Sequence, residues 1–357
     1  MDLLLLGKGA DLGSERGVSC PGALPPVSDP ELTERAHLAR KKLGESVFIL
    51  GHHYQRDEVI AHADVTGDSF KLAQSAAARP DSEFIVFAGV HFMAESADIL
   101  TSDFQKVILP DLAAGCSMAD MATHSQVESA WDLFNSLGMA KRTVPITYMN
   151  SSAAIKAFTG RNGGTVCTSS NAKRALEWAF EKGDKVFFLP DQHLGRNTAV
   201  RELGLGLEDC VIFDPWKPNG GLTDSQLLNS KMILWRGHCS VHGRFTLDNV
   251  NKVRKEVPDV KVLVHPECTY DVVSAADEVG STEKIIQIIK SAPSGSSWAV
   301  GTELNLVKRL AANFEDKNIV FATDADTSLR DFYWNYAKKY PSIYFTTFVK
   351  STVEALL

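Results

Sequence analysis

The sequence predicts an α/β protein with parallel sheets, in which one strand–turn–helix–strand unit occurs three times. Two observations lead there. Short apolar runs alternate with helix-like stretches along the 357 residues, and the same polar landmarks return three times at nearly the same spacing.

The apolar runs come first. Val47-Phe48-Ile49-Leu50 ends in Gly51, and Phe84-Ile85-Val86-Phe87-Ala88 ends in Gly89. Such short unbroken runs suit strands buried on both faces of a parallel sheet. Residues 107–109, 186–189, 232–234, 262–264 and 319–321 read alike. Helical patterns over 69–78, 171–181 and 282–289 fall between them, which places parallel strands and helices in alternating layers.

The landmarks sit where strands should end. They are Gly51-His52-His53-Tyr54, Thr147-Tyr148-Met149-Asn150 and His265-Pro266-Glu267. A hydroxyl-bearing turn follows each: Gly67-Asp68-Ser69, Thr168-Ser169-Ser170 and Gly280-Ser281-Thr282. The step from Tyr54 to Ser69 equals that from Glu267 to Thr282, and the step from Asn150 to Ser169 is slightly longer. A third landmark follows: Gly89-Val90-His91, Pro190-Asp191-Gln192 and Gly301-Thr302-Glu303. The steps from Ser69 to His91 and from Ser169 to Asp191 are equal, and that from Thr282 to Glu303 nearly matches them. Similar βα lengths alone give similar offsets; agreement of three landmarks in three copies favours a true repeat. Ligands of open parallel sheets bind beyond the strand C-terminal ends, so these landmarks are the candidate site. Each turn is a plain helix N-cap or, in addition, an anion-binding one.

Composition narrows the partners. Hydrophobic residues are 44% and charged residues 23%, as in ordinary globular proteins. The net charge of −7 and the lack of a basic stripe argue against nucleic acid. No apolar run reaches the roughly 18–20 residues that cross a bilayer, and the leucines at 3–6 are too few for a signal segment. A cytoplasmic protein with no membrane partner is expected. The six cysteines, Cys20, Cys116, Cys167, Cys210, Cys239 and Cys268, are too scattered for a disulfide framework. Cys20 and Cys210 read as buried thiols.

These motifs resemble the quinolinate synthase family. The resemblance runs from Gly51 to Leu310 and includes Gly89-Val90-His91-Phe92-Met93-Ala94-Glu95-Ser96-Ala97, Leu109-Pro110-Asp111-Leu112-Ala113-Ala114-Gly115-Cys116-Ser117, Pro190-Asp191-Gln192-His193-Leu194-Gly195-Arg196 and His265-Pro266-Glu267-Cys268. It implies three similar α/β/α domains around a pseudo-threefold axis, with the active site at their shared interface. The expected boundaries are 29–122, 123–243 and 244–330. Residues 1–28 read as a loosely ordered extension, and 331–357 as a helix and strand packing back on the first domain.

The resemblance also implies an activity: condensation of iminoaspartate with dihydroxyacetone phosphate to quinolinate, a transferase step of NAD (pyridine nucleotide) biosynthesis that releases phosphate and water. An L-aspartate oxidase or dehydrogenase would act upstream. Tyr54, Tyr148 and Glu267 become the acid/base candidates, although spacing alone reads Tyr148 as a core aromatic with a hydrogen-bonded tip. His52, Asp68, Ser69, Asn150, Ser169, His242, His265 and Thr282 become the substrate-binding candidates. A [4Fe–4S] cluster is implied on one cysteine per domain, with an open iron as Lewis acid. Cys116 and Cys239 match two ligands; Cys167 and Cys268 are expected near the site and not as ligands.

No cysteine follows Cys268. The step from Gly89 to Cys116, taken again from Gly301, reaches Ser328 in Asp324-Ala325-Asp326-Thr327-Ser328. Asp324 or Asp326 is the candidate third ligand, each equally readable as a helix cap. The other readings are a different metal on the two cysteines with His242 or His238, a cluster-less paralogue making another product, an altered C-terminal sequence, and a non-catalytic small-anion binder.

Overall fold

The computed structural model describes residues 30–112 and 114–322. The extension 1–28, the segment 331–357, Cys20, Asp324 and Asp326 lie outside the described residues. The chain divides into two compact units. Of the described residues, one comprises those in 30–117 and 304–309, and the other those in 118–303 and 310–322.

The first unit holds one sheet, made of β1 (Val47–His52), β2 (Val65–Gly67), β3 (Phe84–Ala88) and β4 (Lys106–Ile108), in the order β2-β1-β3-β4. Every pairing is parallel. All six residues of β1 are buried, which is why the run carries no polar alternation. The helix Ser69–Ala77 follows β2, and the Asp68 carboxylate caps it by accepting the Lys71 N–H at 2.9 Å.

The second unit holds two sheets. One contains β5 (Thr143–Tyr148), β6 (Thr165–Cys167), β7 (Lys185–Leu189), β8 (Cys210–Phe213) and β9 (Met232–Trp235), in the order β6-β5-β7-β9-β8. The other contains β10 (Lys261–Val264), β11 (Glu278–Val279), β12 (Ser297–Gly301) and β13 (Asn318–Phe321), in the order β11-β10-β12-β13. Both are parallel throughout.

All three sheets therefore share one strand order, with β8 added to the edge of the second. Register explains the repeat spacing. His52 lies opposite Gly67, Tyr148 opposite Cys167 and Val264 opposite Val279. These separations equal, in turn, the steps from Tyr54 to Ser69, Asn150 to Ser169 and Glu267 to Thr282. The landmark offsets thus measure the chain needed to leave one parallel strand and return beside it. The strands β2, β6 and β11 were not legible as strands, because they are too short to show a period. In the second copy the turn hydroxyls do not cap the helix Ala172–Lys182. Asn171 instead folds back, accepting the Thr168 N–H at 2.7 Å.

The larger sheet carries an aromatic core. Phe187 of β7 packs against Phe134, Trp235 and Phe213 at centroid distances of 5.0, 6.0 and 6.3 Å. The Trp235 indole N–H donates to the Met121 carbonyl at 2.7 Å, anchoring the last residue of β9. At Gly164 a Cβ would stand 1.8 Å from the Pro145 carbonyl oxygen, so only glycine lets the chain enter β6 so close to β5. Phe187→Ala should cost about 3–5 kcal/mol through lost burial and cavity formation. Tryptophan-monitored urea unfolding should show this as a clearly lowered midpoint.

Candidate active site

The second unit gathers four of the sequence-predicted residues around one carboxylate. Tyr148 closes β5, and His265 and Glu267 follow β10. His242 belongs to a short turn after β9. The Tyr148 hydroxyl donates to Glu267 Oε1 at 2.6 Å. His242 Nδ1 lies 2.9 Å from Glu267 Oε2 and its Nε2 lies 3.2 Å from the Thr302 hydroxyl. An ionised carboxylate only accepts, so the His242 Nδ1 carries a proton and donates to Glu267, while Nε2 shares a hydrogen bond with the Thr302 hydroxyl. His265 stacks on His242 with ring centroids 4.4 Å apart and an interplanar angle of 19°. Its Nδ1 accepts the Glu267 backbone N–H at 3.3 Å.

Electrostatics separates the charges. Burial opposes ionisation of Glu267, but the His265 and His242 imidazoles and the hydrogen bonds from His242 and Tyr148 outweigh it and bring the carboxyl down to about 2. Burial takes the His265 imidazole down to about 3, so that ring is neutral near pH 7. Asp191 behaves oppositely: burial and then the Glu267 charge hold its carboxyl well above the ordinary range, despite backbone N–H groups of His193 and Leu194. The two neighbouring carboxyls are thus pushed apart, Glu267 held low by its partners and Asp191 held high by burial, the kind of separation by which enzymes assign acid and base.

Asp191 and Thr302 were missed as site residues. Both belong to the third landmark of the repeat, which was read for spacing and not for chemistry. Asp191 caps the helix Gln192–Arg201 by accepting the His193 N–H at 2.8 Å, while its Oδ2 has no hydrogen-bond partner among the described residues. Asp191 also pairs with Gly237 as an isolated parallel bridge. A Cβ on Gly237 would stand 2.1 Å from the Pro190 carbonyl oxygen, so glycine is required for the chain to reach Cys239 from this side.

Ser169 lines a cavity of about 640 Å³ with Ser170, Asn197, Pro266, Ser281 and Lys284. The Ser170 hydroxyl donates to Ser281 Oγ at 2.9 Å, and Ser281 caps the helix Thr282–Ser291, in which Thr282 is buried. Pro266 brings this cavity next to the Glu267 backbone. Asn150 is half-buried in the turn after β5.

The remaining predicted residues lie in the first unit. His52 and Tyr54 meet edge-on with centroids 4.7 Å apart, and burial takes the His52 imidazole down to about 3. Arg309 fixes this turn, donating to the His53 and Gln55 carbonyls at 2.9 and 2.8 Å and to Asp57 at 2.7 Å. Asp68 and Ser69 start the helix Ser69–Ala77 as described above.

The cysteines sort by burial. Cys167 and Cys268 are fully buried, and burial pushes both thiols up, so neither readily supplies the thiolate that a metal needs. Cys210 is half-buried, not buried as expected, and its thiol is pushed by burial to about 11. Cys116 and Cys239 are half-buried, on the loops after β4 and β9. Ligand atoms of Cys239, His242 and Glu267 all lie within 4.8 Å of one another. Cys239, with His242 and Glu267, is a donor set of a kind that could hold a metal ion. In the third repeat no cysteine follows Cys268, whose thiol is fully buried.

Among the described residues no helix is long and apolar enough to cross a membrane. Residues 36–342 match the family model described as quinolinate synthetase A protein. The quinolinate synthase of Streptomyces coelicolor is 70% identical over 321 residues, covering 89% of this chain and 82% of the relative. That of Nocardioides sp. is 68% identical over 327 residues, with 90% and 83% covered, and that of Corynebacterium glutamicum 57% over 293 residues, with 82% and 74% covered. Spanning most of its length and placing its buried Tyr-Glu-His cluster inside the matched region, these similarities establish that the chain belongs to the quinolinate synthase family.

Proposed function

We propose that this chain condenses iminoaspartate with dihydroxyacetone phosphate to form quinolinate, releasing phosphate and water, as an enzyme of NAD biosynthesis. The observation that carries this reading is the convergence of Tyr148 and His242 on the buried Glu267 carboxylate, at 2.6 and 2.9 Å, with the three residues following strands of two sheets. The condensation needs repeated proton transfers at carbon, nitrogen and oxygen, hence positioned acids and bases in a dry site.

Glu267 is already ionised in the resting protein. A substrate O–H or N–H that displaces Tyr148 from Oε1 meets a carboxylate ready to accept a proton. Losing the Tyr148 hydrogen bond also raises the basicity of Glu267 toward the useful range. Tyr148, once displaced, holds its phenolic proton as a donor. His242 stays oriented by Thr302 and offers Nδ1–H to Glu267. Ser169, Thr282, Asn150 and His265 in the same unit, and His52, Asp68 and Ser69 in the other, are the candidates for holding the anionic substrates, and Tyr54 is a further acid/base candidate. The cavity that Ser169 lines carries the cations Arg201 and Lys284 together with the carboxylates Glu202, Asp277, Glu278 and Glu283.

Cys116 and Cys239 would hold a [4Fe–4S] cluster, with Asp324 or Asp326 proposed at the third position. Such a cluster supplies a Lewis-acid iron for a substrate oxygen. The reading also places the protein in the cytoplasm beside an L-aspartate oxidase or dehydrogenase, because the imine hydrolyses in water and must be made close by.

Anaerobically purified protein, given both substrates, should release one phosphate per quinolinate and carry about four irons per chain. Iron-free protein that binds dihydroxyacetone phosphate without turnover would point to the binding-protein reading instead. Glu267→Gln should lower kcat by about 10²–10⁴-fold and Tyr148→Phe by a smaller factor, with both proteins melting as folded chains.

The buried histidines set a pH limit. His52 and His265 are held near 3 and His193 near 4, chiefly by burial, whereas unfolded histidine titrates near 6.5. Between those values the unfolded chain binds protons that the folded chain does not, so stability falls as pH falls below 6.5. Glu267 adds to this at lower pH, its contribution being present above its ordinary 4.5 and lost toward 2. Melting temperature should drop steeply between pH 7 and about 4.5. His193→Gln should flatten that drop, by less than about 1.4 kcal/mol per pH unit.

A further inference from the structure

We propose that Asn197 is a positioning residue for the reaction, clamping the turn that aims Glu267 at Tyr148 and His242. The inference rests on the reading of Glu267 as the acid/base carboxylate.

Glu267 has an exacting task. Its two oxygens must meet two donors carried by other elements, at 2.6 and 2.9 Å. Its own backbone is a loop leaving β10, where the Glu267 N–H turns back to His265 Nδ1 and the Cys268 N–H to the His265 carbonyl, and these local bonds do not tie the turn to another element. Asn197 supplies that constraint. Its Nδ2 donates to the Pro266 and Cys268 carbonyls, each at 2.8 Å, so both of its N–H groups grip the residues on either side of Glu267. Asn197 is buried, at 3% exposure.

The other end of the amide shows that the side chain is held for its donors. Asn197 Oδ1 is buried and has no hydrogen-bond partner among the described residues. A buried acceptor left unpaired is unfavourable, and an asparagine that served only local packing would turn to satisfy it. The two carbonyls decide the orientation instead. They also settle which end of the amide is nitrogen, since a carbonyl oxygen facing two others would repel.

The clamp stands on a rigid support. Asn197 lies on the helix Gln192–Arg201, which Asp191 caps at its start. At the other end Arg201 donates to the Val273 carbonyl. One helix thus holds the segment after β10 at Pro266, Cys268 and Val273. The clamp also borders the cavity lined by Ser169, so it joins the wall of that cavity to the catalytic carboxylate.

The test is a double-mutant cycle on the anaerobically purified full chain, with Asn197→Ala made in the parent and in Glu267→Gln. In the parent, kcat should fall by about 10–100-fold, while KM for dihydroxyacetone phosphate stays within about three-fold. In Glu267→Gln the same change should alter kcat by less than about two-fold, because Asn197 acts through the residue already lost. A second readout needs no turnover: in isotope-labelled histidine NMR, the His242 Nδ1–H resonance should shift or vanish in Asn197→Ala. Asn197→Asp, nearly isosteric but without the two donors, carries both readouts if the alanine variant does not fold.

An equal loss of kcat in both backgrounds would overturn the proposal, as would unchanged kcat with an unchanged resonance. Full activity in Glu267→Gln would instead overturn the role given to Glu267. The resonance would still report whether Asn197 sets the His242–Glu267 contact.

Discussion

A carboxylate that stays charged while only 3% exposed is the constraint on which the second unit depends. Removing such a charge from water is costly unless hydrogen bonds replace the lost hydration. Glu267 meets that condition with the Tyr148 hydroxyl on one oxygen and the His242 Nδ1–H on the other, beside the neutral, stacked His265 ring. The donors are useful only if β5, β9 and β10 end at fixed places. The surrounding details follow from that need. Trp235 anchors the end of β9, Gly237 permits a close backbone passage beside Pro190, and Asn197 holds the turn after β10.

The same burial sorts the other ionisable groups. It keeps His265 neutral, raises Asp191 and suppresses thiolate formation at Cys167 and Cys268. Cys116 and Cys239, by contrast, are half-buried. The ligand set of the third repeat is therefore a question of chemistry: a carboxylate there would be a harder, weaker donor to iron than thiolate. The buried Tyr148–Glu267–His242 cluster lies within the region that matches the quinolinate synthase family.

Much of this architecture was legible before any coordinates. The apolar runs marked the long buried strands β1, β3 and β7, because a strand covered on both faces has no polar residue to break its pattern. The landmark spacings, equal in the first and third copies and longer in the second, anticipated the registers of all three sheets. They could do so because a parallel crossover requires a set length of chain. The strands β2, β6 and β11 left no trace, being too short for a period. Tyr148 was the instructive ambiguity. Spacing alone read it as a core aromatic with a bonded tip, and it is buried at 6%; the identity of its partner turns that tip into chemistry.

The sequence by itself determined the parallel α/β class, the threefold repeat, the strand ends that carry Tyr148, His265 and Glu267, and the lack of a cysteine beyond Cys268. These are local or periodic properties, written in neighbouring residues. The packing of the chain settled the rest: His242 and Tyr148 share Glu267, the Asp191 carboxyl is raised beside it, and Asn197 grips the turn that carries it. Tyr148 and Glu267 are far apart along the chain, and such a contact is set by how two sheets pack. Protonation follows from that packing too, since burial and partner distance, not residue type, determine which buried group keeps its charge.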